Sequence, residues 1–390
     1  MILVLFWGSI ILIVYTYLIF PVLIFLRGLI WPRPYKSEEI IPLPLISVII
    51  AAYNEEKAIG EKLENILSLD YPPDRLEVLI ASDGSTDGTD AIIQSYEGRG
   101  IKLLSLPRQG KAAALNTAVA ASKGEILVFS DANSIYKADA LRALVRPFAD
   151  PGIGGVAGNQ CYVKKKGASF VGAGERSYWD FDRIMKQFES RAGNTISATG
   201  AIYAIRRSLF KDVLEGVTDD FFTSTSVIAQ GYRLVFAEDA VAYEHPAVKS
   251  SMEFGRKVRV ITRGLRAVFV ARRQLLNPFR YGFYAIQLFS HKVLRRIIVY
   301  PLLLLFLVTP FLWESALFYK LLLVGQLAFY NLGLVGLLLE GTHFGRLKIF
   351  TIPFYFCMVN AAVLVATIKI MRGQQIKRWE PQREAETLES

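Results

Sequence analysis

Three short stretches of this 390-residue chain place carboxylates where apolar runs end or begin. In "LIASDGSTDGT" the apolar residues Leu79–Ala81 give way to Asp83, two glycines and three further hydroxyl residues. "VFSDANS" repeats the pattern at Asp131, and "VTDDFFTSTS" sets Asp219 and Asp220 side by side at the start of a helical stretch. A strand, a turn and a helix cap account for Asp87 and Gly88, and a helix dipole favours two acids in its first turn. Neither explains Asp83 or Asp131. In open α/β sheets the carboxyl ends of strands are where ligands bind. Acids converging there on a phosphate-bearing ligand would hold a divalent cation and supply a base.

The elements that must carry these acids are legible as alternation. "ISVIIAAY", "LEVLIAS", "IKLLSL" and "EILVFS" read as four strands. Between and after them lie helical patterns over Glu55–Leu69, from Asp87 to about Tyr96, over "GKAAALNTAVAAS", and over Ala138–Phe148. Such alternation builds a parallel sheet. Gly152-x-Gly154-x-x-Ala157 matches a dinucleotide fingerprint in letters, but it lacks a strand before it and a helix after it. "RQGKAAA" lacks the upstream glycine and the hydroxyl of a phosphate-binding P-loop. Nicotinamide chemistry and ATP hydrolysis therefore lose support. Two cysteines, Cys161 and Cys357, and three scattered histidines, His245, His291 and His343, indicate neither a disulfide framework nor a zinc site.

The chain is 52% hydrophobic with a formal charge of +10, and both properties are unevenly spread. Residues 1–26 contain no charge, enough for one membrane crossing. The run lacks a basic start and a cleavage site, so it reads as a retained anchor. Ile297–Trp313, Leu321–Leu339 and Ile349–Ile368 are three more apolar runs. Arg27, Arg33 and Lys36 follow the first run, which predicts an outside N-terminus and a cytoplasmic middle over about residues 42–250. Four crossings would also leave the tail "GQQIKRWEPQR" outside, whereas its basic residues favour the cytoplasm. From Phe254 to Trp313 there are eleven Lys or Arg, Arg273 among them, and no acid, interleaved with aromatic residues. Directly ahead of apolar runs, that belt fits interfacial helices on an anionic leaflet better than a nucleic-acid surface.

Taken in order, the motifs resemble the inverting family-2 glycosyltransferases of GT-A fold, including membrane-bound hyaluronan, chitin-oligosaccharide and cellulose synthases. The resemblance covers about residues 43–270. It implies an α/β, Rossmann-like GT-A cytoplasmic domain joined to transmembrane and interfacial helices. The corresponding divisions are 1–27 (N-terminal transmembrane helix), 28–44 (linker), 45–250 (GT-A domain), 251–296 (basic interfacial helices), 297–371 (C-terminal transmembrane helices) and 372–390 (polar tail).

By the same resemblance, "SVIIAAYNEE" with Tyr53 and Glu55, Asp83 in "SDGST", Lys111 and Asn116 in "RQGKAAALN", Asp131 in "SDAN" and Arg259 bind the nucleotide sugar. "TGAIYAIRR" supplies the acceptor side at Thr199 and Gly200, and "TDD" the catalytic base, Asp220, with Asp219 beside it. Asp131 and Asn133 would hold Mg2+ or Mn2+, Asn133 standing where the D-x-D motif has its second acid. The Q-x-x-R-W signature of processive synthases is altered: Arg256 replaces Gln and Val260 replaces Trp, while Arg259 keeps the basic position.

The expected partners are a nucleotide sugar, UDP-linked by resemblance, a glycan or lipid-linked acceptor, and membrane lipids, with no nucleic acid. The expected activity is a plasma-membrane, multi-pass hexosyltransferase that extends a polysaccharide processively and exports it. The alternative is single transfer to a polyprenyl phosphate or glycolipid. A transporter or scaffold with a degenerate nucleotide domain is disfavoured, because a dead domain has no need of Asp83, Asp131 and Asp220 together.

Overall fold

The computed structural model describes residues 1–162, 170–244 and 250–374. The tail beyond Gln374 and the side chain of Arg273 lie outside the described residues. Eight strands form one sheet: β1 Ile46–Ala52, β2 Leu76–Asp83, β3 Ile101–Leu106, β4 Ile126–Ser130, β5 Ile135–Tyr136, β6 Ile153–Tyr162, β7 Tyr203–Arg206 and β8 Arg233–Glu244. Their order is β3-β2-β1-β4-β7-β6-β8-β5. The first four are parallel, and all four coincide with the apolar runs of the sequence. They are apolar throughout because both faces are covered.

On one face Val48, Ile50 and Ile80 pack against Ile59, Leu63 and Ile66 of the helix Glu56–Leu67. Each such side chain contributes about 1.5–3 kcal/mol on burial. On the other face Ile49, Leu79 and Leu127 meet Ala114, Leu115 and Ala118 of the helix Lys111–Ala121. The alanine-rich surface lets that helix approach closely. β2 and β4 flank β1 on opposite sides, so the chain leaves β1 in both directions and opens a crevice at the carboxyl ends. Tyr53, Asp83 and Asp131 follow or end β1, β2 and β4 at that edge.

The Gly-x-Gly letters at 152–157 fall at the start of β6, and packing explains them. A Cβ at Gly154 would lie 2.5 Å from Leu209 Cδ1 and 2.6 Å from Tyr232 Cβ, a space already filled by side chains.

Among the described residues three helices are long and apolar enough to cross a membrane: Ile2–Ile30, Leu317–Leu338 and Lys348–Met371. The expected run Ile297–Trp313 is instead the second arm of a bent pair, Phe283–Ile297 and Val299–Leu312, with a 48° change of direction. Pro301 explains the break, because its ring crowds the carbonyl four residues earlier, on Ile297. The bent pair runs antiparallel along the first helix. Arg27 lies over the Phe283 ring, Tyr15 bonds Ser290 at 2.8 Å, and Phe6 packs among Leu305, Val308 and Leu312. Both helices pass through a π-helical turn at the middle contact, Tyr15–Ile19 in one and Phe289–Leu294 in the other.

Candidate active site

Asp83 is buried at the end of β2 and is spoken for within the chain. Its Oδ1 accepts from the backbone N–H groups of Gln109 (2.7 Å) and Gly110 (2.8 Å), and Arg108 donates to Oδ2. Gly84 has φ +68° and leaves no room for a side chain, since a Cβ would meet Arg108 N at 2.8 Å. Asp83 thus shapes the loop that enters the helix Lys111–Ala121. Arg108 also stacks on Tyr53, its guanidinium carbon 3.3 Å from the ring centroid, which makes one wall of the crevice.

Lys111, first residue of that helix, is the electrostatic hub. Its Nζ lies 2.8 Å from Asp131 Oδ1 and 3.0 Å from Asp219 Oδ2. Burial opposes its charge, but Asp131 and then Asp219 outweigh burial and hold the ammonium above its ordinary range. The β4 end, the Lys111 helix and the helix Asp219–Ala229 are thereby tied at one point. Gly200 closes the same point, because a Cβ there would stand 2.6 Å from Asp131 Oδ2.

The two adjacent acids are electrostatically different. Burial alone would raise Asp219, but Lys111 and Arg263 overcome it and hold that carboxyl low. For Asp220 the pull of Lys111 is too weak to win. Burial, and then the charge on Asp219, push it up to about 6. A carboxylate of that strength, half-buried and ionised at neutral pH, suits a general base. Thr218, which precedes the helix of the two acids, and Thr199 each keep a buried hydroxyl with no hydrogen-bond partner in the structure.

The other expected residues fall as follows. Glu55 is buried, and its N–H donates to Thr89 Oγ1 at 2.8 Å. Asn116 is committed elsewhere: its Nδ2 donates to Val213 O and its Oδ1 accepts from Val213 N, so the amide braces a loop rather than facing the acids. Arg259 lies on the helix Ser250–Leu275, one turn before Arg263, whose Nε and Nη2 donate to Val217 O at 3.0 and 2.6 Å. Asn133 is exposed two residues past Asp131.

No group of three or more His, Cys, Asp or Glu side chains among the described residues is arranged to hold a metal. The donor set nevertheless suits a cation completed by the ligand. Mg2+ commonly binds through one or two carboxylates plus phosphates, and Asp131 with Asn133 offers that much at the strand end.

Sequence reasoning missed two supports. Lys62 is fully buried behind Asp131, donating to Ser134 O at 2.6 Å, with burial lowering it to about 7 against the pull of Asp131. Its place three residues after Ile59 and four before Ile66, on the apolar stripe, was the available signal. The second support binds the acceptor-side loop to the bent helix pair. Tyr284 Oη donates to Ile196 O (3.0 Å) and Gln287 Nε2 to Asn194 O (3.0 Å). His291 Nδ1 meets Glu189 Oε1 at 2.7 Å, while Glu189 Oε2 accepts from Ile196 N at 2.9 Å. Nothing in the local pattern announces those pairs, which join positions 88 to 102 residues apart.

Comparison with known proteins places this geometry. The model of Glycosyl transferase family 2 matches residues 47–214. Glycosyltransferase AglE of Haloferax volcanii is 32% identical over 215 residues, 53% of this chain and 68% of that protein. The poly-beta-1,6-N-acetyl-D-glucosamine synthase of Staphylococcus epidermidis is 29% identical over 206 residues, 52% of this chain but only about half, 48%, of its own length. Among solved structures, a mannosyltransferase from Pyrobaculum calidifontis in complex with GDP-Man and Mn2+ superposes with a TM-score of 0.71 and 25% identity. The match covers 95% of this chain and 100% of that one, which establishes the GT-A architecture expected from the motifs. The chain belongs to glycosyl transferase family 2.

Proposed function

We propose that the protein transfers one hexose, with inversion, from a nucleoside diphosphate sugar to a lipid-linked acceptor at the membrane surface. One observation carries the acceptor class: the catalytic acids lie directly against helices that border the apolar spans. Arg263 holds Val217, two residues before Asp219, and Lys292 of the bent pair lies 5.9 Å from the Phe221 ring centroid. An acceptor hydroxyl therefore reaches Asp220 from the side of the membrane. An apolar cavity of about 540 Å³ among Phe254, Leu334, Leu337, Phe354 and Met358 supports the same reading, since it suits a hydrocarbon chain better than a glycan.

In this reading Asp220 accepts the proton of the acceptor hydroxyl. The oxygen then attacks the anomeric carbon as the nucleoside diphosphate departs from the opposite face. Lys111 balances the negative charge on the diphosphate, and Arg259 is assigned the same role by the resemblance. A divalent cation held by Asp131 and Asn133 would supply Lewis-acid stabilisation of that leaving group when bound. Thr199 and Thr218 offer the acceptor two hydroxyls to bond. The N-terminus lies outside, and the catalytic acids face the cytoplasm.

A growing polysaccharide is the second reading, supported by the similarity to the staphylococcal polymer synthase. Val260, 44% exposed where processive synthases carry Trp, weighs against it, as does similarity along nearly the whole chain to a mannosyltransferase. The test is product analysis. Purified protein in lipid nanodiscs is given UDP- and GDP-sugars with polyprenyl phosphate or diacylglycerol, and the products are sized by mass spectrometry. A single hexose on an organic-extractable lipid supports the proposal; a polymer ladder overturns it.

A further inference from the structure

A cavity of about 510 Å³ lies where the first apolar helix meets the body of the protein, away from the acids described above. Its lining includes four arginines, Arg27, Arg33, Arg233 and Arg280, and no aspartate or glutamate. Arg27 stands in the last turn of the first span, the depth at which a membrane gives way to water. Exposed aromatics mark the same level, with Trp31 64% and Phe279 100% accessible.

Two of the four cations, Arg233 and Arg27, are held by groups that do not neutralise them. Arg233 donates to backbone carbonyls, Nε to Gly193 O at 2.8 Å and Nη2 to Arg33 O at 2.8 Å. The Arg27 guanidinium carbon lies 4.3 Å from the Phe283 ring centroid, and its buried Nε has no hydrogen-bond partner. Burial, and then Arg33, lower the pKa of Arg233 and outweigh the opposing pull of Asp150 and Tyr35. Asp150 attracts Arg233 from outside the cavity, but it is already held by the backbone N–H groups of Lys36 and Gly152. Gathering like charges this way is unfavourable until an anion enters, and arginine forks match phosphate oxygens.

We propose that this cavity binds the phosphodiester headgroup of an anionic phospholipid, at a site separate from donor and acceptor. The walls give the occupant a route to the chemistry. Tyr281 Oη donates to Ala229 O at 3.2 Å, at the end of the helix that begins with Asp219. Gln287 and Tyr284 hold Asn194 and Ile196, which lead to Thr199. A seated headgroup therefore steadies both the helix of the base and the acceptor loop. The inference does not depend on which acceptor the enzyme uses.

The test uses the full chain in nanodiscs of phosphatidylcholine alone or doped with phosphatidylglycerol, read by native mass spectrometry and thermal unfolding. Wild type should retain phosphatidylglycerol preferentially and unfold at a higher temperature in the doped discs. Arg27→Gln with Arg280→Gln should weaken that retention about ten-fold, the loss of one or two charge-assisted bonds. Arg280 is exposed, so Arg280→Gln alone tests the site without endangering the fold, and unchanged nucleotide binding verifies the double variant. Arg27→Lys should retain most of the preference. Equal retention of the two lipids, or equal retention by wild type and the double variant, would overturn the proposal. So would full thermal stabilisation by inorganic phosphate without the lipid, which would make the ligand a free anion.

Discussion

Lys111 forms its close ion pair with Asp219 and not with Asp220. The ammonium lies 3.0 Å from Asp219 Oδ2, and its pull on Asp220 is outweighed by burial and by the charge on Asp219. Two acids adjacent in sequence are thereby divided into a structural anion and a weak acid that can accept a proton, a separation by environment.

Asp220→Asn should reduce transfer by about 10²–10⁴ while leaving nucleotide-sugar affinity within a few-fold, because a base acts on the acceptor proton. Turnover kinetics beside calorimetry of the donor make the comparison. Substantial remaining activity would move the base, with Asp219 the first suspect.

The pH profile follows from the raised carboxyl. Asp220 works as a base only when ionised, so kcat should climb as pH rises through about 6 and level off above it. Asp219→Asn removes the negative neighbour that helps raise Asp220, and the acidic limb should move to lower pH. A limb that stays in place in this variant would assign it to another group.

Lys111→Ala should destabilise the fold by about 3 kcal/mol, the order expected when one partner of a buried ion pair is removed. The loss should be larger at pH 8 than at pH 5. Without the ammonium, Asp219 loses the largest of the charges that hold its carboxyl low, so keeping it ionised in the buried site costs more at higher pH and protonation at lower pH relieves that cost. Urea unfolding at the two pH values measures the difference.

Asp83→Ala should raise the apparent donor constant by an amount equivalent to roughly 1–3 kcal/mol, the value of a buried hydrogen bond lost. The structure gives the route: the backbone N–H groups of Gln109 and Gly110 lose their acceptor, and Arg108 loses its anchor over Tyr53. Unchanged nucleotide affinity by calorimetry would reduce Asp83 to a turn residue.

Activity should require Mg2+ or Mn2+, with the metal binding measurably only when nucleotide is present, since Asp131 and Asn133 offer too few ligands by themselves. Asn133→Asp should tighten metal binding without being needed for turnover. Full activity in excess EDTA would leave Lys111, Arg108 and Arg259 to stabilise the leaving group.

The four parallel strands and the acids at their ends were legible because each depends on local pattern. A strand buried on both faces must be a short apolar run, and a turn must follow it before the next helix. The basic belt and the apolar spans were legible for the same reason, since the cost of placing charge in hydrocarbon is set residue by residue. Of the four apolar runs, Ile297–Trp313 belongs to a bent pair, so the described residues hold three candidate spans, or four if that pair is one broken span. Pro301 shows in the sequence, but whether its helix bends or breaks depends on what packs against Ile297 and Val299.

What only the tertiary structure decided is the assignment of partners. The letters of "TDD" do not say which acid Lys111 will hold, because Lys111 is 108 residues before Asp219 and their meeting depends on how β4 and two helices converge. The commitment of Asn116 to Val213, the burial of Lys62 behind Asp131, and the gathering of Arg27, Arg33, Arg233 and Arg280 around one cavity share that origin. Local sequence determines which groups are charged and which segments are buried. Charge interactions act through space and depend on burial, so their pairing and strength are settled only when distant segments pack together.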